Sequence, residues 1–460
     1  MARYGGINAL VLGMGVSGEY AARLLLCHGA RVWVANQGGE DRFSGLAERL
    51  RGEGAEVSFD ADLPSAAFNF CVASPAFALY HPWLAECSRR GIPVISELEL
   101  GCRHWNGRIL AVTGSKGKSS LVKLCSDTLN AAGLDASPAG NYGIPLCQLV
   151  LEHPELRWAV VEVSSFQMEH TDTIRPDAAV LLNLQADHLD RHRCMAEYRA
   201  MKLKLFKAMR PGAVALLPEG FEAESGIIPD GVRIERFGAG DGADWRYDSL
   251  RHAVVGGPEE VSLARSWFDN EILGLAAAAG TGALFAAGLN GGQIEAGLEN
   301  FEPLPHRMQL VAEDKNGVRY VDDSKATSLA AMMAALKMSK KPVRLIAGGL
   351  LKENDLENAK EMLTCTTKKV YLIGKCADQM FSAWAGALPC ELCGTLDCAV
   401  GRAAQEADSG DTVLLSPGTA SFDQFTGYRE RGARFADLAR KVAGLEVAAD
   451  FSDADMEKKQ

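Results

Sequence analysis

The chain has 460 residues, a formal net charge of −11 and 12 cysteines, and its 47% hydrophobic and 23% charged content is ordinary for a globular enzyme. Such a length suggests about three domains. The acidic balance argues against an extended nucleic-acid surface, and scattered cysteines without a recognisable signal peptide predict reduced thiols and a cytoplasmic location. Anionic substrates therefore need local positive pockets.

Two stretches suggest other classes of protein. Four cysteines, Cys376, Cys390, Cys393 and Cys398, include one CxxC that would suit zinc, but no second CxxC or CxxH accompanies it. The longest uncharged run, residues 272–289, is mostly alanine and glycine. It is too weakly hydrophobic to favour lipid, so a buried helix pair is the better interpretation.

Residues 1–98 open with a strand, three glycines in GxGxxG spacing, a helix and a second strand, which is half of a dinucleotide-type fold. The acid that would bind a ribose after the second strand is replaced by Asn36. This replacement opposes a nicotinamide-dependent dehydrogenase. Ser74 and Pro75 end another strand, where a ligand contact and a plain turn are equal contenders.

The stretch ILAVTGSKGKSS at residues 109–120 predicts a strand, a glycine loop and a helix. N–H groups of such a loop surround phosphate oxygens, its lysine adds a mobile positive charge, and the next hydroxyl suits magnesium. Val112 occupies the position of the first glycine in the general P-loop, so this is the shortened TGxxGKS form. The alternative is a glycine turn beside a surface lysine. Residues predicted to bind ATP phosphates are Gly114, Ser115, Lys116, Gly117, Lys118, Ser119 and Ser120.

Three further strand ends carry polar residues. Asn141 lies in a glycine-flanked loop, and Glu162 ends the apolar strand of RWAVVEVSS. A buried carboxylate needs a partner, so a cation is the natural explanation, with an exposed strand edge as the alternative. Asp187, His188 and Asp190 follow the next apolar strand, where they could share magnesium, although a loop histidine is more often a surface residue.

Beyond these ends, EYRAMKLKLFKAM is helical by composition. Spacing alone predicts that Lys202, Lys204 and Lys207 form a solvated face. Asn270 stands at a helix start, where it can cap free N–H groups or touch ligand; capping is favoured.

From residue 305 onward, strands alternate with helices, which predicts a second parallel sheet. Its polar clusters, DDSKATS, AGGLLK and SPGTASFDQF, again follow strands, on the edge where α/β sheets hold ligands. The charged tail from about residue 449 is poor in core residues and is expected to be disordered.

The order of motifs resembles the Mur ligase family over nearly the whole chain. The motifs are TGSKGKSS, GNYGIPL, EVSSFQ, LNLQADHLDRH, YRAMKLKL, LPHRM, DDSKATS, AGGLLK and SPGTASFDQF. The resemblance implies an α/β fold of three domains. These are an N-terminal Rossmann-like domain for the uridine nucleotide (1–98), a central P-loop ATPase domain (99–304) and a C-terminal Rossmann-like domain that binds the amino acid and closes over the site (305–460).

The resemblance also implies a reaction in peptidoglycan precursor synthesis. ATP phosphorylates a substrate carboxylate, and the amine of an amino acid attacks the acyl phosphate. DDSKATS and ASFDQF resemble the members that add D-glutamate to UDP-N-acetylmuramoyl-L-alanine, whereas siblings typically carry DYxHxP. Because two anions must approach each other, magnesium and lysines are needed beside ATP. A monomer without nucleic-acid binding or membrane insertion is expected.

Site residues follow from the same resemblance. The expected catalytic residues are Lys118, His188 and Lys202, and the expected magnesium ligands are Ser119, Glu162, His188 and Lys202. In the family, the lysine matching Lys202 is carbamylated, which turns a cation into an oxygen ligand. Further nucleotide contacts are expected from Arg307 and Asp323. Expected substrate contacts are Val16, Ser17, Ser74, Asn141, Ser164, Gln167, Lys325, Thr327, Lys352, Ser421 and Phe422.

Four positions depart from the family pattern. Asn36 replaces a uridine-pocket aspartate, Ala76 replaces a glycine, Leu273 stands where asparagine is common near adenine, and Lys116 is unusual inside the phosphate loop. Three rival functions are another amide ligase of the family, including one that extends folate with glutamate, a dehydrogenase, and a nucleotide-gated binding protein. The phosphate loop opposes the dehydrogenase, and the metal-ligand set opposes the binding protein.

Overall fold

The computed structural model describes residues 3–60, 62–188, 191–339, 342–351 and 355–445. Its strands form three sheets, of five, nine and six strands. The chain divides into two compact units: the described residues up to 301 apart from 270–273, and those from 302 onward together with 270–273. The first unit holds the first two sheets. The boundaries at 98/99 and 304/305 stay predictions, and the tail from about 449 lies outside the described residues.

The first sheet is parallel, in the order β3-β2-β1-β4-β5. Its strands are β1 (Asn8–Leu12), β2 (Arg31–Asn36), β3 (Glu56–Phe59), β4 (Phe70–Ala73) and β5 (Val94–Ser96). Its helices are α1 (Val16–Cys27), α2 (Ser44–Gly52), α3 (Pro82–Arg89) and α4 (Glu97–Cys102), with a 3-10 turn at Glu40–Arg42. This strand-helix alternation confirms the Rossmann-like prediction.

The second sheet has the order β14-β13-β12-β11-β10-β9-β6-β8-β7. Its strands are β6 (Arg108–Thr113), β7 (Ala136–Gly140), β8 (Trp158–Glu162), β9 (Ala178–Leu181), β10 (Val214–Pro218), β11 (Arg233–Gly238), β12 (Trp245–Asp248), β13 (Ala253–Val255) and β14 (Val261–Ser262). Its helices are α5 (Lys118–Ala131), α6 (Leu146–Glu152), α7 (Ser165–Met168), α8 (Met195–Leu203), α9 (Leu273–Ala287) and α10 (Gly291–Glu299), with a 3-10 turn at Lys204–Phe206. Strands β6 to β12 run parallel, so the carboxyl ends that carry the predicted site share one edge.

The third sheet has the order β15-β16-β20-β17-β18-β19. Its strands are β15 (Gln309–Glu313), β16 (Arg319–Asp322), β17 (Val343–Gly348), β18 (Thr367–Ile373), β19 (Cys390–Gly394) and β20 (Thr412–Leu415). Its helices are α11 (Leu329–Met338), α12 (Lys360–Thr366), α13 (Ala377–Trp384), α14 (Leu396–Glu406) and α15 (Tyr428–Val442), with a 3-10 turn at Leu356–Ala359. The predicted parallel sheet is confirmed except at its edge, where β15 pairs antiparallel to β16.

The prediction of a helix pair for residues 272–289 was wrong, because the run forms the single helix α9. Glycine inside it serves close packing: a Cβ on Gly282 would lie 2.4 Å from Cδ2 of Leu216. Asn270 caps this helix, as expected, by accepting from the N–H groups of Ile272 and Leu273 at 3.2 and 3.0 Å. In the part of the chain that the structure describes, no helix combines the length and hydropathy needed to span a bilayer.

The glycine motif of residues 13–18 packs the start of α1 onto the end of β1. A Cβ on Gly18 would lie 1.9 Å from the carbonyl oxygen of Gly13, whereas a Cβ on Gly15 would meet nothing within 4 Å. Gly18→Ala is therefore expected to lower the free energy of unfolding by about 1–3 kcal/mol, since helix and strand must separate. Urea denaturation measures this loss. Gly15→Ala is the matched control, and equal stability of the two variants would contradict the packing argument.

Candidate active site

The glycine loop joins β6 to α5 in a conformation that other residues rarely adopt. Gly114 has φ +150° and Gly117 has φ +82°. A Cβ on Gly114 would also lie 3.1 Å from Cβ of Leu182. Both glycines are therefore required by geometry, as the phosphate-loop prediction expected.

Asn183, which sequence reasoning missed, fixes this loop from the segment that follows the neighbouring strand β9. Its Oδ1 accepts from the N–H groups of Ser115 and Lys116 at 3.0 and 2.9 Å, and its Nδ2 donates to the Lys116 carbonyl at 2.9 Å. The Ser115 hydroxyl exchanges hydrogen bonds with the backbone of Gln185, both at 2.9 Å. A usable signal was available, because β9 pairs with β6 and the polar residues after β9 must face the loop after β6.

The residues that follow the loop supply a cation and hydroxyls at the start of α5. Lys118 donates through Nζ to the carbonyl oxygens of Gly114 and Ser115 at 2.8 and 3.0 Å, so its amine lies over the loop. Ser119 is half-buried and Ser120 is buried. The helix N-terminus adds a positive end beside them, which favours an anion.

Lys202 contradicts the prediction of a solvated lysine face. Its side chain is 2% exposed, and its Nζ donates to the Gly114 carbonyl at 2.7 Å. Burial, followed by the nearby charge of Lys118, lowers the pKa of Lys202 to about 7. The other two lysines differ: Lys204 pairs with Asp172 at 2.9 Å, and Lys207 is exposed. Helical spacing missed Lys202 because it carries no information about the loop that covers the lysine.

Glu162 is the buried carboxylate that the sequence predicted, which overturns the exposed-edge alternative. It ends β8 and is 2% exposed. One oxygen, Oε1, accepts from Nδ2 of Asn141 at 2.7 Å, while Oε2 is buried and has no hydrogen-bond partner among the described residues. An unpaired buried carboxylate oxygen is costly, so this atom fits a bound cation.

Asp187 and His188 follow β9, and Asp190 lies outside the described residues. Asp187 pairs with Lys116 at 3.0 Å, which gives the unusual loop lysine a partner. His188 has φ +54° and a half-exposed side chain, with its ring 4.8 Å from that of Phe166. No three His, Cys, Asp or Glu side chains form a metal-binding group within residues 3–60, 62–188, 191–339, 342–351 and 355–445. The four cysteines considered for zinc lie in these ranges and form no such group.

Ser164 and Gln167, expected to touch substrate, form a capping box at the start of α7. The Ser164 hydroxyl accepts from the Gln167 N–H at 3.3 Å, and Oε1 of Gln167 accepts from the Ser164 N–H at 3.0 Å. Next to them, the Ser165 hydroxyl lies 2.9 Å from Nε2 of His192. These bonds position the loop after Glu162, and a substrate contact for the pair stays a prediction.

The predicted uridine pocket is built from the ends of β1, β2 and β4. Asn36 is buried, and its Oδ1 accepts from the Met14 N–H at 2.9 Å, so the side chain holds the glycine loop. Val16 is 51% exposed and Ser17 is half-buried. Ser74 donates its N–H to the Leu12 carbonyl at 3.0 Å. The ends of these three strands therefore meet, as parallel pairing requires.

Arg191, also missed in the sequence, connects that pocket to the central site. Its guanidinium donates to the carbonyl oxygens of Pro75 and Phe77, both at 2.7 Å, and pairs with Glu169 at 2.5 Å. It also lies 4.2 Å from the centre of the Phe166 ring. The side chains of Arg191 and Glu169 are only 10% and 1% exposed. A lone arginine in DHLDRH gave no sequence signal for these long-range partners.

The second unit gathers its own polar cluster at the ends of β16 and β20. Asp323 is buried and accepts from the Ser416 hydroxyl at 2.8 Å and the Met308 N–H at 3.2 Å. Burial raises the pKa of Asp323 to about 7. The neighbouring Asp322 lies 2.7 Å from Nδ1 of His306, and Arg307 is half-buried. This cluster includes both residues predicted to contact the nucleotide.

A cavity of about 170 Å³ lies in the same unit. It is lined by Thr327, Ala420, Ser421, Phe422 and Tyr428. Three of these were predicted to bind substrate, and Tyr428 was missed because nothing local marks it. The Lys325 amine lies 3.8 Å from the centre of the Tyr428 ring. Lys352, the remaining predicted contact, lies outside the described residues.

Comparisons with known proteins agree with this geometry. The family description "Mur ligase middle domain" matches residues 112–265, and "Mur ligase, glutamate ligase domain" matches residues 306–419. A UDP-N-acetylmuramoylalanine--D-glutamate ligase of Nitratidesulfovibrio vulgaris is 35% identical over 445 residues, covering 95% of this chain and 96% of the relative. The chain belongs to the Mur ligase family.

Other Mur ligases extend the comparison. A relative from Rubrobacter xylanophilus, with the same name, is 38% identical over 451 residues, covering 94% of this chain and 98% of that protein. The crystal structure of MurF ligase from Thermotoga maritima in complex with ADP has a TM-score of 0.60 at 17% identity, covering 90% of this chain and 95% of the other. The fold is therefore that of the Mur ligases, and the family comparison supports ATP binding.

The Arg191 contacts predict a large stability effect. Arg191→Met leaves Glu169 buried without its partner, so we expect the free energy of unfolding to fall by about 3–5 kcal/mol in urea denaturation. Adding Glu169→Gln removes the stranded charge and is expected to restore part of the loss. A double variant as unstable as Arg191→Met alone would contradict this account of the ion pair.

Proposed function

We propose that this Mur ligase adds D-glutamate to UDP-N-acetylmuramoyl-L-alanine, with ATP converted to ADP, in peptidoglycan biosynthesis. Relatives that carry the name of this reaction match the chain over almost its full length. The observation that carries the chemistry is the juxtaposition of the buried Lys202 amine with the phosphate loop, through the Gly114 carbonyl. We also propose the domain boundaries 1–98, 99–304 and 305–460, and a cytoplasmic monomer.

ATP phosphates would bind to the loop of residues 114–120, whose shape Asn183 maintains. Lys118 would exchange its bonds to loop carbonyls for phosphate oxygens and offset charge as the terminal phosphoryl group moves to the substrate carboxylate. The neutral amine of D-glutamate then attacks the acyl carbon, the bond from that carbon to the phosphate oxygen breaks, phosphate leaves, and the nitrogen loses a proton. The product is an amide.

The residues present fit magnesium. Glu162 offers a buried oxygen that has no partner within the described residues, Ser119 offers a hydroxyl, and His188 lies in the loop that follows β9. When bound, the ion would neutralise phosphate charge and orient the transferring group. Asn141 holds the other oxygen of Glu162 and so fixes the orientation of its carboxylate.

Lys202 would join this site as a carbamate. A lysine with a pKa of about 7 is largely neutral at slightly alkaline pH, and only the neutral amine attacks carbon dioxide. The nitrogen forms a bond to the carbon of carbon dioxide as one C=O π bond opens, and the nitrogen then loses a proton, so that an anionic carbamate replaces the neutral amine. The resulting carbamate would be a magnesium ligand.

D-Glutamate would bind in the second unit. The cavity lined by Thr327 and Ser421 provides hydroxyl groups, and Lys325 provides a cation for a carboxylate. We propose that Lys352 and Phe422 also contact this substrate, and that Arg307 and Asp323 contact the nucleotide. The uridine nucleotide would occupy the ends of β1, β2 and β4, against Val16, Ser17 and Ser74, while Ser164 and Gln167 would contact the muramoyl part.

Amino-acid specificity gives the first test. Phosphate release is measured with ATP, magnesium and UDP-N-acetylmuramoyl-L-alanine, in separate reactions that contain D-glutamate, L-glutamate or L-alanine. The product of each reaction is identified by mass spectrometry. Turnover with D-glutamate and at least about a hundredfold less with the others is expected, because a site that hydrogen-bonds one stereoisomer leaves polar groups unpaired with the other. Preference for L-glutamate or L-alanine would contradict the assigned substrate.

The Lys202 carbamate gives a second prediction. With ¹³C-bicarbonate, a carbamate carbon signal is expected in the NMR spectrum above pH 7, and it should fade as the pH falls through about 7 because the amine becomes protonated. Lys202→Ala should lose the signal and at least about a hundredfold in turnover, with partial rescue by short carboxylic acids. Lys204→Ala is the matched control. Full turnover of Lys202→Ala without rescue would refute the carbamate.

A further inference from the structure

A groove of about 850 Å³ lies at the edge of the central sheet opposite the phosphate loop. Its wall includes the residues at or next to the starts of β6, β9 and β10, together with Arg233 at the start of β11. These four strands are parallel, so their amino ends share one edge while the phosphate loop follows the carboxyl end of β6. The groove is therefore separate from the site described above.

The lining of the groove is positively charged, although the chain as a whole is acidic. The protein has a net charge of −11, yet the ionisable residues of the lining include one carboxylate, Asp177, against six arginines. The arginines are Arg3, Arg103, Arg108, Arg175, Arg210 and Arg233. A concave site lined by one sign of charge focuses its field and attracts counter-ions of the opposite sign.

Ion pairs between residues of the described ranges involve three of these six arginines. Arg103 pairs with Glu99 at 2.9 Å, Arg108 with Asp177 at 3.2 Å and Arg233 with Glu235 at 2.6 Å. Arg3 donates to the Arg103 carbonyl at 2.8 Å and forms no ion pair with the residues that the structure describes.

Arg175 and Arg210 make neither an ion pair nor a side-chain hydrogen bond with any residue that the structure describes, and both are exposed. Arg175 precedes β9 and Arg210 precedes β10, so the pairing of these two strands brings them to the same stretch of the edge. Both oxygens of Asp177 already have partners: one pairs with Arg108, and the other accepts from the Ile109 N–H at 2.9 Å. The free guanidinium groups are therefore available to a ligand.

We propose that this groove binds a soluble phosphate-bearing anion of about nucleotide size, at a site separate from the phosphate loop. The planar guanidinium donates paired hydrogen bonds that match phosphate oxygens, and several arginines suit a ligand with more than one phosphate. Its volume falls within the range of small-molecule sites. A phospholipid headgroup shares the chemistry, but the concave wall favours a free molecule over a flat membrane surface.

The test uses the full chain and inorganic tripolyphosphate as the probe, in calorimetric titrations with magnesium and saturating ADP. One saturable site is expected, and Arg175→Ala with Arg210→Ala should weaken its affinity at least about tenfold. The matched control is Arg31→Ala with Arg49→Ala, which removes the same charge from exposed positions on the first unit. Lys118→Ala should leave the tripolyphosphate site unchanged, which separates it from any binding at the phosphate loop.

Several outcomes would overturn the proposal. The first is that tripolyphosphate shows no saturable binding in the presence of ADP. The second is that Lys118→Ala abolishes tripolyphosphate binding. The third is that both double-arginine variants weaken this binding equally. Retained ligase turnover in the Arg175 and Arg210 double variant would show that it is folded. Vesicles of phosphatidylglycerol and phosphatidylcholine form the second arm: binding there that needs Arg175 and Arg210, without tripolyphosphate binding, would contradict a soluble ligand and assign the phosphate to lipid.

Discussion

The central site depends on one buried amine. Lys202 lies beneath the phosphate loop, bonded to the Gly114 carbonyl, in surroundings that disfavour its positive charge. A cation there would be costly, whereas a neutral or modified lysine is tolerated. The phosphate loop follows β6, Glu162 ends the neighbouring strand β8, and Lys202 bonds to the loop from α8, so the three belong to one arrangement. One oxygen of Glu162 has no hydrogen-bond partner among the described residues.

Parallel strand pairing brings these groups together. β6, β8 and β9 are neighbours, so the residues that follow them, the phosphate loop, Glu162 and Asn183, meet although they are distant in sequence. The glycines let the loop turn tightly, and Asn183 holds two of its N–H groups. Because the strands are parallel, they all begin at the opposite edge of the sheet, and the arginine groove lies there.

Much of this could be predicted from the sequence. Apolar runs ending in polar clusters gave the α/β class and the phosphate loop, and the buried position of Glu162 followed from its strand. Lys202 could not be chosen by spacing, because its burial depends on a loop almost ninety residues earlier in the chain. Arg191 and Tyr428 were missed for the same reason: their partners come from other elements, and no local pattern encodes such contacts.

The most direct test of the account is to trap the acyl phosphate. Enzyme, ATP, magnesium and UDP-N-acetylmuramoyl-L-alanine are mixed without an amino acid, treated with borohydride and analysed by mass spectrometry. If the phosphate loop and Lys202 serve phosphoryl transfer to the carboxylate, the substrate carboxyl is recovered as its alcohol. Absence of the alcohol, in a preparation that releases phosphate once D-glutamate is added, would contradict the stepwise mechanism.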